Sequence, residues 1–368
     1  MPMKRTIAAV TSSRADFSHL YWPLRELAAR PEIELKIIAM GPHLAPEFGL
    51  TGGEIEKAGF PLTARIECLL SSDTDIGMAK TIGVAALGLA DCLGQMRPDL
   101  LLLIADRYEM LAPASVALAL RIPVAHIEGG EISEGAIDDA VRNALTKLSH
   151  VHFTSTERAR ARVIGMGEQA WRVHHAGAPS LDHLRRSALP ELAIEKPAVL
   201  VAYHPTTIAR DTIREADALF AALERIEGRL VFCYPNADAG SRELIPRARQ
   251  FGAGRVFVNL DPLSYWGLLR QADFLIGNSS SGIMEAASFA IPAVNVGIRQ
   301  RGREHGRNVL DADATVESIL ACVDKARDPE FRASLAGMEN PYGDGHASER
   351  IAGVLATVPL GEELLTKR

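Results

Sequence analysis

Short runs of aliphatic and β-branched residues alternate with longer stretches of helical spacing along almost the whole chain. This is the pattern of parallel sheets covered by helices on both faces. In the first half the runs fall near Thr6 to Val10, Glu34 to Ala39, Leu100 to Ala105, Val124 to Ile127, His150 to Phe153 and Arg172 to His175. The same rhythm returns near Ala198 to Tyr203, Arg229 to Tyr234, Arg255 to Val258, Phe274 to Ile276 and Ala293 to Val296. The pattern predicts an α/β chain of two doubly wound, Rossmann-like domains. Residues 1–184 form the first and 197–345 the second. The charged segment Arg185 to Lys196, with Pro190 inside it and Pro197 directly after, reads as the linker. The tail, 346–368, has helical spacing at Ile351, Val354 and Leu355 and is expected to pack back across the domains.

A length of 368 residues agrees with two domains, because a single hydrophobic core rarely organises so long a chain. With 47% hydrophobic and 23% charged residues the composition is that of a globular protein. The net charge of -6 gives no long-range attraction for a polyanion, so nucleic acid and acidic membrane surfaces are not expected partners, while a few arginines suffice for a small anion. Cys68, Cys92, Cys233 and Cys322 form no CxxC pair and read as buried free thiols in a reducing compartment rather than as zinc ligands. The run Thr6 to Val10 reads as a strand, not a signal-peptide core, and the apolar runs look too short or too interrupted to span a bilayer. A cytoplasmic location is the expectation.

In open parallel sheets ligands bind beyond the carboxyl ends of the strands, so the residues just after each apolar run matter most. Here they are polar. Arg14 and Asp16 follow the first run, Asp106 and Arg107 the run LLLIA, and Glu128, Gly129 and Gly130 the run VAHI. In the second half His204 follows VLVAY, Asn236 and Asp238 follow VFCYP, and Asn278 to Ser281 follow FLIG.

Three groups of these residues suggest chemistry. From Gly277, GNSSSGIMEAASFA leads from a strand through hydroxyl residues into a helix, presenting backbone N–H groups to an anion such as phosphate; equally, Asn278 or Ser279 serves only as a helix cap. Glu285, inside that helix, suits a ribose diol or simply solvent. Arg14, Arg107 and Arg299 each follow a predicted strand, where a guanidinium can pair with phosphate oxygens. Finally, Asp106, Glu128 and Asp138, with Asp139 as a competitor, make a carboxylate cluster fit for general acid and base work; the alternative is capping and pairing with Arg107 and Arg142. His204 is a candidate contact to phosphate or leaving group, whereas His126 reads as a residue of the sheet and His174 and His175 as structural. GMGEQA at Gly165 lacks the third glycine of a dinucleotide fingerprint and follows a helix.

The segments SSRADFSHL, ADRYEML, HIEGGEISEGAIDDAVRNALTKLSHVHFTST, YHPTT, YPNADAGS, IGNSSSGIMEA, GIRQRGREHGRNVL and NPYGDGHASERI are spread over nearly the whole length of the chain. Together they resemble the UDP-N-acetylglucosamine 2-epimerase family, and the SSRAD opening with the HIEGGE to AIDD stretch resembles its UDP-hydrolysing branch. One departure is Ala105, where the family usually has glycine before the aspartate.

The resemblance implies a GT-B-like fold with two Rossmann-like domains facing a central cleft. It also implies catalytic roles for Asp106, Glu128, Asp138 and His204. Nucleotide and phosphate binding would fall to Arg14, Ser18, Arg107, His204, Asn236, Ser279, Ser280, Glu285 and Arg299. The expected reaction converts UDP-N-acetylglucosamine and water to N-acetylmannosamine and UDP, for sialic acid-type sugars, with no cofactor and no metal. The expected assembly is a homodimer or homotetramer. The alternative is hydrolytic 2-epimerisation of a UDP- or GDP-linked 2,4-diacetamido-2,4,6-trideoxy sugar, of the legionaminic acid type. A GT-B glycosyltransferase is a further reading.

Overall fold

The computed structural model describes residues 4–70, 74–134, 137–204, 213–234, 241–251, 255–258 and 260–367. The chain divides into two compact units, the first made of 1–131, 138–182 and 343–368 and the second of 132–137 and 183–342. Compared with the expected boundaries, the short segment 132–137 leaves the first unit for the second, and the C-terminal tail belongs wholly to the first.

The first unit holds seven parallel strands: β1 (Arg5–Thr11), β2 (Ile33–Met40), β3 (Leu62–Ile66), β4 (Leu100–Ile104), β5 (Val124–Ile127), β6 (Val151–Thr154) and β7 (Val173–His175). Their order is β3-β2-β1-β4-β5-β6-β7. In the second unit β8 (Ala198–Ala202), β9 (Arg229–Tyr234), β10 (Arg255–Val258), β11 (Phe274–Gly277), β12 (Ala293–Val296) and β13 (Val309–Ala312) are ordered β10-β9-β8-β11-β12-β13. Both are doubly wound sheets, and the strand order reverses direction between β1 and β4 in one and between β8 and β11 in the other. Those two gaps are the topological switch points, where such sheets bind ligands.

Strand alternation explains why the central runs are apolar throughout. Ile7 and Ala9 of β1 and Leu100, Leu102 and Ile104 of β4 enter one core, while Ala8, Val10, Leu101 and Leu103 enter another on the opposite face. Every position of β4 is buried, and every position of β1 after Arg5 and Thr6, which produces the continuous runs seen in the sequence. Two of the four edge strands, β3 and β13, escape that reading. β3, with sequence LTARI, alternates part-buried and exposed positions before the buried Ile66, and β13 carries the exposed Asp311.

The helix Asp75–Met96 corrects one expectation: by length and composition it is long and apolar enough to cross a membrane, at 22 residues and mean hydropathy 1.5. Here it covers one face of the first sheet, burying Ala85, Leu89 and Leu93 in the core shared with the helix Leu111–Leu120. All four cysteines are free, Cys68 and Cys233 being buried and Cys92 and Cys322 partly so.

The tail is held by both packing and polar contacts. Ile351, Ala352 and Leu355 of the helix Ala347–Thr357 join the core beside the helix Arg14–Ala28. The tail helix has no side-chain cap of its own at His346; instead the fully buried Asp182 accepts from Ala347 N at 3.0 Å and Ser348 N at 2.9 Å. Removing this carboxylate strands two buried N–H groups. Asp182→Ala is expected to cost about 2 kcal/mol of stability, with Asp182→Asn losing less, as read by chemical denaturation.

Candidate functional site

In the first unit the chain leaves β1 through a capping box. The Ser13 side chain accepts from Asp16 N, and the buried Asp16 carboxylate accepts from Ser12 Oγ at 2.7 Å and from the backbone N–H groups of Ser12 and Ser13. Asp16 is therefore a cap. Arg14 is the first residue of the helix Arg14–Ala28 and Ser18 lies one turn further, so both sit near the carboxyl edge of β1. Burial works against the Arg107 charge, but Glu109, at 2.8 Å, and Asp16 outweigh it and hold the guanidinium firmly protonated. Burial raises the Asp16 carboxyl, and Arg107 opposes that rise. Arg107 thus belongs to a charged cluster with Glu109 and Asp16 after β4 and β1.

Beyond β4 and β5 the backbone takes conformations that side chains disfavour. Ala105 has φ +61° and Glu128 has φ +69°, both left-handed. At Ala105 this accounts for the end of β4 one residue sooner than its apolar run predicts. Glycine is the residue that adopts this φ without a Cβ penalty. The turn is supported by His126, whose Nε2 lies 2.8 Å from the Ala105 carbonyl oxygen and whose imidazole burial pushes its pKa down to about 4. A neutral His126 donating through Nε2 fits that contact, so His126 is indeed a residue of the sheet.

The predicted acids have distinct partners. Asp106 pairs with the guanidinium of Arg142, a side chain only 3% exposed that also donates to the Glu131 carbonyl at 3.0 Å. Asp139 lies 3.6 Å from the same guanidinium and accepts from Asn143 Nδ2 at 3.2 Å, which ties it to its own helix. Asp138 is the first residue of that helix, Asp138–Leu148, which packs against β5. Glu128, 7% exposed, has its backbone N–H on Phe153 O at 2.8 Å and its carboxylate 2.8 Å from His19 Nδ1. β4 and β5 are neighbours, so Asp106 and Glu128 leave adjacent strand ends. His19 was not picked out from the sequence; its position one turn past Arg14 on the helix that opens at the switch point is the signal that marks it.

The switch point of the second unit is locked differently. Gly277 has φ +141°, and a Cβ there would lie 2.0 Å from the Ala202 carbonyl oxygen, so only glycine lets β11 close against β8. One residue later the Asn278 side chain grips the His204 backbone twice, accepting from His204 N at 2.7 Å and donating to His204 O at 2.8 Å. The Asn278 carbonyl accepts from Arg299 at 2.9 Å and from Gln300 at 3.0 Å. His204, Asn278 and Arg299 are therefore brought together within this unit.

Ser279 caps the helix Ser280–Ile283, accepting from Ser281 N, and its hydroxyl lies 2.9 Å from Ser281 Oγ. Ser281 Oγ in turn lies 2.5 Å from the hydroxyl of Tyr265, a residue missed from the sequence, whose burial raises its pKa. The single helix expected here is in two pieces, Ser280–Ile283 and Glu285–Ser288, divided at Met284. Glu285 opens the second piece and is 4% exposed, which excludes the solvated reading of that residue. Asn236 and Asp238 lie outside the described residues. Among the described residues no group of three or more His, Cys, Asp or Glu is arranged to hold a metal ion.

The left-handed Ala105 gives a direct test. Ala105→Gly removes the Cβ penalty at φ +61° and, after the entropy of the freer unfolded chain, should stabilise by about 0.5 kcal/mol. A small rise in Tm is the expected outcome; a fall would mean the turn is not strained.

Comparison with known proteins places this arrangement. Residues 25–356 match the family model of UDP-N-acetylglucosamine 2-epimerase. The chain is 36% identical to the UDP-N,N'-diacetylbacillosamine 2-epimerase (hydrolyzing) of Legionella pneumophila, over 99% of each chain. It is 35% identical to the GDP/UDP-N,N'-diacetylbacillosamine 2-epimerase (hydrolyzing) of Campylobacter jejuni, over 89% of each. Identity to the UDP-N-acetylglucosamine 2-epimerase of Neisseria meningitidis is 32%, over 88% of each. Among solved structures, the S. aureus MnaA-UDP co-structure superposes with a TM-score of 0.80 at 17% identity, over 95% of this chain and 96% of that one, which supports a GT-B-like fold. The chain belongs to the UDP-N-acetylglucosamine 2-epimerase family, and within it to the hydrolysing branch.

Proposed function

We propose that the protein hydrolyses a UDP-linked 2,4-diacetamido-2,4,6-trideoxy sugar of the N,N'-diacetylbacillosamine type with inversion at C2. The observation that carries this choice of sugar is the pair of relatives at 36% and 35% identity whose names specify that substrate. It replaces the expectation of UDP-N-acetylglucosamine drawn from the motifs. That sugar remains the second reading, favoured by the relative at 32% identity.

The chemistry follows from the sugar. Its C2 proton has no adjacent ketone to acidify it, so departure of UDP leads. As the C1–O bond breaks, positive character at C1 acidifies C2–H, and a carboxylate removes the proton to leave a 2-acetamidoglucal. Water then adds at C1 while C2 is protonated from the opposite face, releasing UDP and the 2-epimeric free sugar.

In this reading Asp106, Glu128 and Asp138 of the first unit manage the protons. Arg14, Ser18, Arg107, His204, Asn236, Ser279, Ser280, Glu285 and Arg299 hold the nucleotide and its phosphates. His204 also stabilises the leaving diphosphate. The fixed backbone of His204 and the hydroxyls after β11 suit that task, because a preorganised donor set needs no reorganisation as charge grows on the leaving group.

The deciding experiment incubates the protein separately with UDP-N,N'-diacetylbacillosamine and UDP-N-acetylglucosamine in D2O and follows the products by NMR. The expected result is faster release of the 2-epimer from the first substrate, with deuterium at C2. Preference for the second would return the sugar to N-acetylglucosamine, and unlabelled C2 would exclude the elimination. Asp106→Asn should keep UDP binding while turnover falls by at least about 100-fold. It should also lower the unfolding midpoint, because Arg142 keeps a buried charge and loses the carboxylate paired with it. Unchanged turnover in a kinetic assay would remove Asp106 from the mechanism.

A further inference from the structure

Glu128 is not oriented by its own strand alone. Its carboxylate Oε1 lies 2.8 Å from Nδ1 of His19, a residue 109 positions away on the helix Arg14–Ala28. The helix begins after β1, Glu128 follows β5, and β4 lies between those strands. The contact therefore crosses the carboxyl end of β4, beside the turn that carries Asp106. The glutamate side chain is 10% exposed and the histidine 27%, so the pair is sheltered while the imidazole retains an open edge.

Geometry makes the contact directional. An ionised Glu128 only accepts, so Nδ1 carries the proton and donates. The Glu128 backbone, at φ +69° and tied to Phe153 O, aims the side chain but leaves its own torsions to be set. A carboxylate this sheltered gains from a donor fixed on a separate element, because a misplacement of about 1 Å at a reacting group costs up to about 100-fold in rate.

We propose that His19 is a positioning residue that sets the orientation of the Glu128 carboxylate for proton transfer at C2. It acts through Glu128 by a hydrogen bond, and an amide N–H at the same place does the same work. The proposal rests on the epimerase reading above, since it assigns Glu128 a role in that reaction.

The test uses the full-length protein and three variants, His19→Ala, His19→Asn and Glu128→Gln. His19→Ala should lower kcat by about 10- to 100-fold with little change in KM. His19→Asn, whose side-chain amide nitrogen sits near the Nδ1 position, should recover most of that loss. A His19→Ala variant with wild-type kcat, a loss confined to KM, or an Asn variant as slow as the Ala variant would each overturn the proposal. The contact itself is measured without turnover, by thermal unfolding of His19→Ala, Glu128→Gln and the double variant. Non-additive Tm shifts support the pairing and additive shifts refute it. Absence of turnover by the wild type on either nucleotide sugar would instead refute the epimerase reading, and the unfolding cycle would still report on the pair.

Discussion

A parallel sheet collects its polar chemistry at one edge, and the chain has to leave that edge through turns that aim side chains back over the strand ends. The left-handed backbone at Ala105 and Glu128 and the forced glycine at Gly277 are this constraint made visible. Non-glycine residues pay about 1 kcal/mol or more for such a φ, so these conformations persist because the surroundings determine them. At Ala105 the supporting group is His126, kept neutral by burial and placed on the neighbouring strand. At Gly277 it is the approach of β8, which leaves no room for a Cβ. In each unit these features stand at or beside the switch point, where the strand order turns back on itself.

Neighbouring acids at these turns meet different electrostatic settings. Asp106 faces a buried guanidinium that Glu131 O and Asp139 also engage, a partner of fixed charge. Glu128 instead meets an imidazole, whose charge is not fixed and which therefore acts chiefly as a directional donor. Two carboxylates from adjacent strands are thereby kept in unlike environments, a difference that the proposed acid and base roles would use. In the second unit polar contacts fix backbone more than charge. Asn278 closes a ring with the His204 backbone, and Ser281 stands between Ser279 and Tyr265.

The doubly wound fold was legible in the sequence because buried parallel strands are largely apolar, and eleven of the strands were read from such runs. The two overlooked, β3 and β13, lie at sheet edges and are interrupted by exposed charged residues, Arg65 and Asp311, whereas the edge strands β7 and β10 were read. Residues directly after strands were equally legible, since the topology alone places them at the edge. Partnerships were not. The pairing of Asp106 with Arg142 spans 36 positions and that of His19 with Glu128 spans 109, and no local spacing encodes either. Tyr265 and the break at Met284 were missed because each arises from packing within the second unit, while the helical pattern runs on unbroken. The assignment of 132–137 to the second unit is likewise a matter of tertiary contact.

The same distinction explains why the motifs do not by themselves choose between the two sugars. In the proposed reading the strand-end residues address C1, C2 and the diphosphate, and UDP-N-acetylglucosamine and UDP-N,N'-diacetylbacillosamine are alike at all three. They differ at C4, where an acetamido group replaces a hydroxyl, and at C6, where a hydroxyl is lost. A site shaped for the diacetamido sugar has to accept the larger C4 substituent and forgo a hydrogen bond at C6. A buried polar group meant for the missing hydroxyl would be left unpaired, which is the stronger source of discrimination. Selection therefore belongs to residues facing C4 and C6, away from the shared motifs. Similarity along the whole chain samples those positions, and the conserved chemistry of elimination does not.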